Sequence, residues 1–249
     1  MTTISVVIPS YNDADFLRVC LGALAGQLRP ADEIVVVNNA STDATAAVAL
    51  AAGARVVYEP FHGIWPAAAA GYDSAGGDVI ARLDADSIPP ADWLAKIEAR
   101  LAARPDVDVL TGPGDFYGCS AVVGFLGRTI YIGGYFRSIG FWLSHPPVFG
   151  SNFAMRRQVW LETRDVVHRN RSDVHDDLDF SLHLDPSVTV VYDRTLRVGI
   201  SARPFDSWSG LFRRLTWAAR TLRLHWPDDS PVRRRAARRR RIGARSATG

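Results

Sequence analysis

The stretch "ISVVIPSYNDADFLRVCLGALA" (residues 4–25) joins an apolar run to a polar loop and then to a helical pattern. The run Ile4–Ile8 is continuously apolar and β-branched apart from one serine, which is typical of a strand that is buried on both faces. From about Asp13 to Ala25, apolar residues recur with helical spacing at Phe16, Cys20, Leu21 and Leu24. A buried strand followed by a helix is the unit that builds a parallel sheet covered on both faces.

The same alternation continues along the chain. Further strands are predicted at Ile34–Val37, Arg55–Tyr58, Val79–Leu83, Val107–Thr111, Gly150–Arg157 and Val188–Tyr192. Helices are predicted at about 43–52, 66–75, 90–103 and 176–184. The fold class is therefore predicted as α/β, with a Rossmann-like, mostly parallel central sheet and helices on both faces.

Polar clusters follow three of these strands. They are Pro9-Ser10-Tyr11-Asn12-Asp13, Asn38-Asn39 and Asp84-Ala85-Asp86. In open α/β sheets, ligands bind beyond the carboxyl ends of the strands, where these clusters fall. Each cluster alone also suits an ordinary turn, because Asn, Asp and Ser favour turns anywhere. Their recurrence at one rim favours a binding site.

Composition narrows the class of protein. The chain has 249 residues, 47% of them hydrophobic and 22% charged, which is typical of a globular domain and argues against wholesale disorder. Two cysteines exclude a disulfide framework and have no metal-ligand spacing. The first residues lack a basic region followed by an apolar stretch, so no secretory signal is predicted.

Residues 119–149 are rich in Gly and aromatics but contain Arg128 and Arg137, which favours an amphipathic or acceptor-lining segment over a membrane span.

The end of the chain is strongly basic. Residues 230–249 carry eight arginines and no acid, and subtracting them from the net charge of +3 leaves −5 for residues 1–229. Residues 206–228 are predicted as an amphipathic C-terminal helix, with Trp208, Leu211, Phe212, Leu215, Ala218, Ala219 and Leu222 on one face. Residues 229–249 are predicted as a disordered Arg-rich tail. Two interpretations are open: residues 207–245 contact an anionic membrane surface, or the helix packs on the domain.

Five stretches together resemble the family 2 glycosyltransferases, which have the GT-A fold. They are "SVVIPSYNDADFLRVCLGAL" (5–24), "DEIVVVNNASTDAT" (32–45), "GGDVIARLDADSIP" (76–89), "GSNFAMRRQVW" (150–160) and "HDDLDFSLHL" (175–184). The resemblance implies a GT-A domain over residues 1–205. Its nucleotide-sugar-binding half would be 1–112 and its acceptor and catalytic half 113–205.

The resemblance also implies the donor site. Asp86 is expected to bind a divalent Mn²⁺ or Mg²⁺, and Asp84 to meet the ribose or the metal through water. Hard cations of this kind take oxygen ligands and offset the charge of a leaving diphosphate. The residues expected to contact the nucleotide sugar are Pro9, Tyr11, Asp13, Asn38, Asn39, Asp84, Ala85, Asp86 and Asn152. Asn38 and Asn39 replace a more usual acidic pair, and an ordinary turn is the alternative for them.

For catalysis, the resemblance points to the acidic pair Asp176-Asp177. Asp177 is expected to be the base that deprotonates the acceptor, with Asp176 orienting the loop or contacting the acceptor. The choice among Asp176, Asp177 and Asp179 stays open. The sequence departs from the family at Ala68-Ala69, where a phosphate- or base-binding residue is often found. Arg82 or His62 could supply that contact.

The function predicted is that of an inverting hexosyltransferase using a nucleotide-diphosphate sugar, with UDP expected ahead of GDP or dTDP. The acceptor is expected to be a sugar or a lipid-linked hydroxyl or phosphate. The protein is expected to be cytoplasmic and peripheral on the inner membrane face. The alternatives are a retaining GT-A enzyme, a sugar nucleotidyltransferase, or a nucleic-acid-binding protein using the Arg tail. The acidic body argues against a nucleic-acid partner.

Overall fold

The computed structural model describes residues 2–203, 208–226 and 230–247. Its strands are β1 (Ile4–Ser10), β2 (Glu33–Asn38), β3 (Arg55–Tyr58), β4 (Val79–Arg82), β5 (Val109–Thr111), β6 (Gly114–Tyr117), β7 (Phe153–Arg156), β8 (Val190–Tyr192) and β9 (Val198–Ser201). Its helices are α1 (Ala14–Ala25), α2 (Thr45–Ala51), α3 (Ile64–Ser74), α4 (Trp93–Ala103), α5 (Ala121–Leu126), α6 (Gly133–Leu143), α7 (Arg157–Thr163), α8 (Asp176–His183), α9 (Trp208–Leu224) and α10 (Pro231–Ala247). A π-helical segment, Gly127–Ile132, joins α5 to α6.

Within the described residues, seven strands form the central sheet in the order β3-β2-β1-β4-β7-β5-β8. All neighbours in it are parallel except β7, which runs antiparallel to both β4 and β5. A smaller parallel pair, β6-β9, lies beside it. The predicted α/β class with a mostly parallel sheet is confirmed. Since β7 lies inside the sheet, the predicted halves 1–112 and 113–205 share one sheet.

The sheet separates two apolar layers. Ile4, Val6 and Ile8 of β1 pack into the layer that contains α1 and α4, whereas Val7 packs into the layer that contains α3 and α8. Successive side chains of a strand point to opposite faces, so a strand covered on both faces must be apolar throughout. This alternation explains why the run Ile4–Ile8 has no polar face.

Helix α3 lies unusually close to the sheet. A Cβ atom at Gly71 would lie 2.3 Å from Cγ1 of Val7 and 2.9 Å from Cγ2 of Val37. Only glycine allows that approach without displacing the strands. The small residues of "PAAAAG" (66–71) therefore serve packing at this point of the fold.

The buried face of α1 differs slightly from the predicted one. Leu17 is buried together with Cys20, Leu21 and Leu24, whereas Phe16 is only partly buried. Phe16 instead lies under a guanidinium group, with Cζ of Arg203 3.9 Å from its ring centroid. The aromatic ring thus supports a charged residue at the rim of the sheet.

The described end of α9 packs on the domain, as one of the two interpretations of this helix predicts. Ala218 and Leu222 contact the cluster formed by Leu143, Leu178 and Leu182. The backbone N–H of His175 donates to Oγ1 of Thr221 at 2.9 Å. The side chains predicted for the same apolar face at Trp208, Leu211, Phe212 and Leu215 lie outside the described part, as do residues 204–207 and 227–229.

The Arg-rich segment differs from its prediction. In place of a disordered tail, residues 231–247 form helix α10. Arginine and alanine are strong helix formers, so this segment has high helix propensity in spite of its charge. Its arginines also contact the domain: Arg235 donates to the carbonyl of Phe141 at 2.9 Å, and Arg234 donates to the carbonyl of Leu182. Across the described ranges, no helix has the length and apolar character needed to cross a bilayer.

Candidate active site

A cavity of about 1040 Å³ opens at the carboxyl ends of β1 and β4. The predicted residues that line it are Pro9, Tyr11, Asp13, Asn39, Asp84, Ala85, Asp86, Asp176 and Asp177. Another part of the wall is largely apolar and comes from the π-helical segment and α6, through Ile130, Tyr131, Ile132, Tyr135 and Ile139. The cavity thus combines acids from the strand ends and from the start of α8 with a largely apolar wall built by residues 130–139. Residues 130–139 belong to the segment 119–149, which was expected to be amphipathic or to line an acceptor site, and their position agrees with that expectation.

Asp86 and Asp13 share one arginine at the rim of the cavity. Arg203 follows β9, and its Nη2 donates to Oδ2 of Asp86 at 2.8 Å while its Nη1 donates to Oδ1 of Asp13 at 2.7 Å. Two carboxylates from the loops that follow β1 and β4 therefore face one cation. The arrangement brings together the predicted clusters that follow β1 and β4.

The electrostatics at Asp86 suit a bound cation. Burial, reinforced by the negative charge of Asp84, raises the pKa of the Asp86 carboxyl above its ordinary value. The guanidinium of Arg203 offsets part of this charge. Carboxylate oxygens are also the ligands that Mg²⁺ and Mn²⁺ prefer. The donor set and its excess negative charge therefore fit a divalent metal.

Arg82 connects the two acidic groups of the cavity. This buried side chain, at the end of β4, donates through Nη2 to Oδ1 of Asp84 at 3.1 Å and through Nη1 to Oδ2 of Asp176 at 2.5 Å. Nη1 also donates to the Tyr72 hydroxyl at 3.1 Å. The second oxygen of Asp84 accepts from the Ser151 hydroxyl at 2.6 Å. The carboxylates of Asp84 and Asp176 are thereby fixed on either side of one guanidinium.

Asp177 is buried at the start of α8 and is held from two directions. Its Oδ2 accepts the backbone N–H of Gly150 at 2.9 Å, and its Oδ1 lies 2.5 Å from Nδ1 of His175. Burial raises the pKa of the Asp177 carboxyl, but the imidazole of His175 and the N–H of Gly150 outweigh it, so the pKa lies below its usual value. The group is thus an ionised carboxylate at neutral pH, which is the form that accepts a proton.

Glycine at position 150 leaves room above this carboxylate. A Cβ atom there would lie 3.3 Å from Oδ2 of Asp177 and 3.5 Å from Cζ of Arg82. A larger residue would place its side chain between the cavity and these two groups. Gly150 and Ser151 both line the cavity, which fits the close backbone approach expected of this segment.

Asp179, the third acid of α8, points elsewhere. Its Oδ2 accepts from Nε1 of Trp65 at 2.8 Å and from the backbone N–H of His168 at 2.9 Å, and the side chain is fully buried. Asp176 and Asp177 line the cavity, whereas Asp179 does not. Of the three acids considered for the base, the geometry leaves the first two.

The asparagines differ from their predicted placement. Within the described residues, Asn38 and Asn152 do not line the cavity. Oδ1 of Asn38 accepts the backbone N–H of Ser41 at 3.0 Å, which is the turn given as the alternative. Asn152 is fully buried: its Oδ1 accepts from Trp93, and its Nδ2 donates to the carbonyls of Pro113 and Leu196. Its side-chain amide is hydrogen-bonded to buried groups of the domain, so it is not placed to contact a sugar as predicted.

Asn39 lines the cavity, but its amide also orders the loop beside it. Nδ2 donates to the carbonyls of Glu59 and Phe61, and Oδ1 accepts the N–H of Gly63 at 2.8 Å. Nearby, the Tyr11 ring lies 4.1 Å from the His62 ring, centroid to centroid. These two rings form the outer edge of the cavity on the side of β1 and β2.

Comparison with known proteins finds matches to both the sequence and the fold. The sequence model of glycosyl transferase family 2 matches residues 5–164, well over half of the chain. The chain belongs to glycosyl transferase family 2. The resemblance seen in the sequence is thereby confirmed.

Among curated relatives, an uncharacterized glycosyltransferase of Mycobacterium tuberculosis is 38% identical over 109 residues, covering 44% of this chain and 47% of the relative. An undecaprenyl-phosphate 4-deoxy-4-formamido-L-arabinose transferase of Pseudomonas fluorescens is 36% identical over 115 residues, covering 42% of this chain and 34% of the relative. The matched parts span less than half of these curated relatives.

Among solved structures, the fold is similar to that of a mannosyltransferase from Pyrobaculum calidifontis in complex with GDP-Man and Mn²⁺. The TM-score is 0.68 with 20% sequence identity, and the match covers 100% of this chain and 76% of the other. At this identity the likeness establishes the fold alone. It places this family 2 chain among GT-A structures.

Two residues of this family 2 site were not predicted. Arg203 carries no local signal, because it meets Asp13 from 190 positions away. Tyr135 lies inside the Gly- and aromatic-rich segment; burial, followed by the charges of Asp177 and Asp176, raises the pKa of its hydroxyl well above the ordinary value. The clue for Tyr135 was only the density of aromatics in residues 119–149, which did not single out one position.

Proposed function

We propose that the protein transfers a sugar from a nucleotide-diphosphate donor to an acceptor with inversion at the anomeric carbon. One observation carries the proposal: Asp84 and Asp86 on the sheet side and Asp177 on α8 face the same cavity. Asp84 and Asp86 are suited to the leaving diphosphate, and Asp177 is suited to the attacking hydroxyl. Separate groups for leaving and attacking atoms are what a single displacement requires.

On the donor side, Asp86 would hold Mn²⁺ or Mg²⁺, with Asp84 beside it. When bound, such a cation neutralises negative charge that develops on the departing diphosphate. Arg203, now on Asp86 and Asp13, is positioned to contact the same phosphates. Pro9, Tyr11 and Asn39 line the part of the cavity where the nucleoside would lie. Uridine remains the expected base, and the Pyrobaculum neighbour with GDP-Man makes guanosine the competitor to test.

On the acceptor side, Asp177 would accept the proton of the attacking hydroxyl. A carboxylate within hydrogen-bond reach can do so, and the partners at Oδ1 and Oδ2 fix its orientation. Asp176 is turned toward Arg82 and would position the site without taking the proton. Within this proposal, His175 steadies the charge of Asp177.

The acceptor is proposed to be lipid-linked. The cavity wall formed by residues 130–139 is largely apolar, through Ile130, Ile132 and Ile139, and Val122, Phe125 and Ile130 of the same segment are exposed. The name of the Pseudomonas relative, which refers to undecaprenyl phosphate, agrees with this class of acceptor. Peripheral attachment to an anionic cytoplasmic membrane face, aided by the arginines of residues 207–245, belongs to the same proposal.

A thermal-shift screen tests the donor half. UDP-, GDP- and dTDP-linked sugars are added with and without Mn²⁺ to the wild type, to Asp86→Ala and to the matched control Asp15→Ala, an exposed acid on α1. We expect one nucleotide class to raise the melting temperature in the wild type and the control, and the Mn²⁺-dependent part to vanish in Asp86→Ala. The absence of any nucleotide shift, or an unchanged shift in Asp86→Ala, would overturn the donor assignment.

The stereochemistry and the acceptor need their own measurements. With the donor identified, NMR of the product should show the opposite anomeric configuration; retained configuration would favour the retaining alternative. For the membrane contact, co-sedimentation with phosphatidylglycerol vesicles should weaken in Phe125→Ser but not in Leu28→Ser, a more exposed apolar residue elsewhere on the surface. Equal binding by both variants would remove residues 121–132 from the proposed membrane contact.

A further inference from the structure

Four side chains of metal-ligating types meet beside α8, outside the cavity. They are His168, Asp179, His183 and His225, and one ligand atom from each lies within 4.8 Å of the others. They come from three places: the segment before α8, α8 itself, and the residue that follows α9. The cluster therefore joins the end of α9 to α8 and its preceding loop.

The distances around Asp179 are those of a compact centre. Its Oδ1 lies 2.8 Å from Nδ1 of His168 and 3.7 Å from Nε2 of His225. In a tetrahedral zinc site with bonds near 2.0–2.1 Å, neighbouring ligand atoms lie about 3.3 Å apart. The four groups could reach that geometry by small rotations of their side chains.

Two of the imidazoles are oriented as metal ligands are. Nδ1 of His183 bonds to the backbone carbonyl of Asp179 at 2.8 Å, and Nδ1 of His225 bonds to the carbonyl of Thr221 at 2.8 Å. A hydrogen bond at Nδ1 fixes the tautomer and leaves the lone pair on Nε2, as in most metal-binding histidines. Nε2 of His225 is buried and has no hydrogen-bond partner among the described residues. A buried nitrogen without a partner, aimed at a carboxylate and two imidazoles, is the observation that points to a ligand.

Asp179 is oriented in the same way. Its Oδ2 accepts from Nε1 of Trp65 and from the N–H of His168, and these bonds leave Oδ1 directed at the imidazoles. The supporting bonds to Oδ2 fix the carboxylate much as outer partners fix a metal-binding carboxylate. A hydrogen-bonded Asp179–His168 pair would explain one imidazole, but not the convergence of the other two.

We propose that His168, Asp179, His183 and His225 bind one Zn²⁺ ion at a structural site distinct from the Asp84–Asp86 group. Three imidazole nitrogens and one carboxylate oxygen form a complete tetrahedral set for zinc, whereas oxygen-only sites suit Mg²⁺ and Mn²⁺. With four protein ligands the site is closed to substrate. Its role is to hold α9 against α8, the helix that begins with Asp176 and Asp177.

Metal analysis of the full-length protein tests this. The protein is purified without added metal, incubated with Zn²⁺, desalted and analysed for zinc by mass spectrometry. We expect one zinc per chain in the wild type, in Asp86→Ala and in His62→Ala, a histidine outside the cluster. His225→Gln and the double variant His183→Ala/His225→Ala should retain well under one zinc per chain after desalting, because they remove one and two of the four ligands. With Co²⁺ in place of Zn²⁺, the wild type should show the visible spectrum of a tetrahedral complex. The two cluster variants should not.

Several outcomes would overturn the site. One is a wild type that takes up no zinc and whose melting temperature rises no more with Zn²⁺ than with Mg²⁺. Another is zinc that persists at one equivalent in the double variant. A third is zinc that is lost in His175→Ala, which would place it at the second cluster, His175, Asp176 and Asp177. Because the readout is zinc content and not transfer, failure here leaves the proposed function standing, and the reverse also holds.

Discussion

The two acidic groups of the cavity differ in how they are held. The side chains of Asp84 and Asp86 are 32% and 21% exposed, and Asp86 is paired with an arginine that is itself 41% exposed. Those of Asp176 and Asp177 are 7% and 6% exposed and are held by a buried arginine, a backbone N–H and an imidazole. Partners at an exposed carboxylate can exchange, whereas those at a buried one are fixed by the fold. Arg203 is therefore the exchangeable partner of Asp86, whereas Asp84 shares the buried Arg82 with Asp176 and, like Asp176 and Asp177, keeps one orientation.

The largest effect should come from replacing the proposed base. Asp177→Asn keeps the shape but cannot accept the proton, and we expect transfer to fall by about 10²- to 10⁴-fold. The donor-induced thermal shift should stay unchanged, because the donor contacts are on the other side of the cavity. Asp165→Asn, an exposed acid in the segment before α8, serves as the control. Turnover within a few-fold of wild type would move the base to another group.

Removing Arg82, which pairs with both Asp84 and Asp176, should lower the free energy of unfolding. Arg82→Met leaves Asp176 buried without its cation, and we expect the free energy of unfolding to fall by about 3–5 kcal/mol. Urea unfolding measures this, with Arg18→Met, an exposed arginine on α1, as the control. Adding Asp176→Asn to Arg82→Met should restore part of the loss, since the buried charge is then gone. If Arg82→Met and Arg18→Met were equally stable, Arg82 would not be the link that the structure describes.

A smaller effect, on metal affinity, is expected when the Arg203 partner of Asp86 is removed. Arg203→Gln removes the cation that competes for Asp86, so the affinity for Mn²⁺ without nucleotide should rise about threefold, in keeping with the modest strength of exposed ion pairs. Isothermal titration calorimetry measures it, and Arg164→Gln is a matched surface control. Weaker Mn²⁺ binding in Arg203→Gln would contradict competition at Asp86.

The smallest effect should come from an exposed acid next to the buried ones. The hydrogen bond from Arg171, together with the charges of Arg171 and Arg220, lowers the pKa of Asp173 to about 2. Because this pKa is below the unfolded value near 3.9, the stabilisation is present above about pH 4 and is lost as the pH falls towards 2. Asp173→Asn should cost a few tenths of a kcal/mol at pH 5 and less at pH 3, by urea unfolding. Arg220→Gln should reproduce part of it; a cost independent of pH would contradict the ion pair.

Local patterns in the chain predict the sheet and the acidic edge at the carboxyl ends of its strands. The run Ile4–Ile8 can be buried on both faces only in a sheet covered by helices, and Asp13, Asp84 and Asp86 follow strands whose carboxyl ends meet at one edge. These features are local in the chain, so periodicity and turn chemistry reveal them. The motif stretches then identified the family.

Tertiary structure alone decided which partners these residues have. Arg203 reaches Asp13 across 190 positions, Arg82 reaches Asp176 across 94, and His225 meets Asp179 only because α9 packs on α8. It also turned Asn152 into the interior and Asp179 away from the cavity. Contacts between residues far apart in the chain depend on how layers pack, and no local pattern of polarity carries that information.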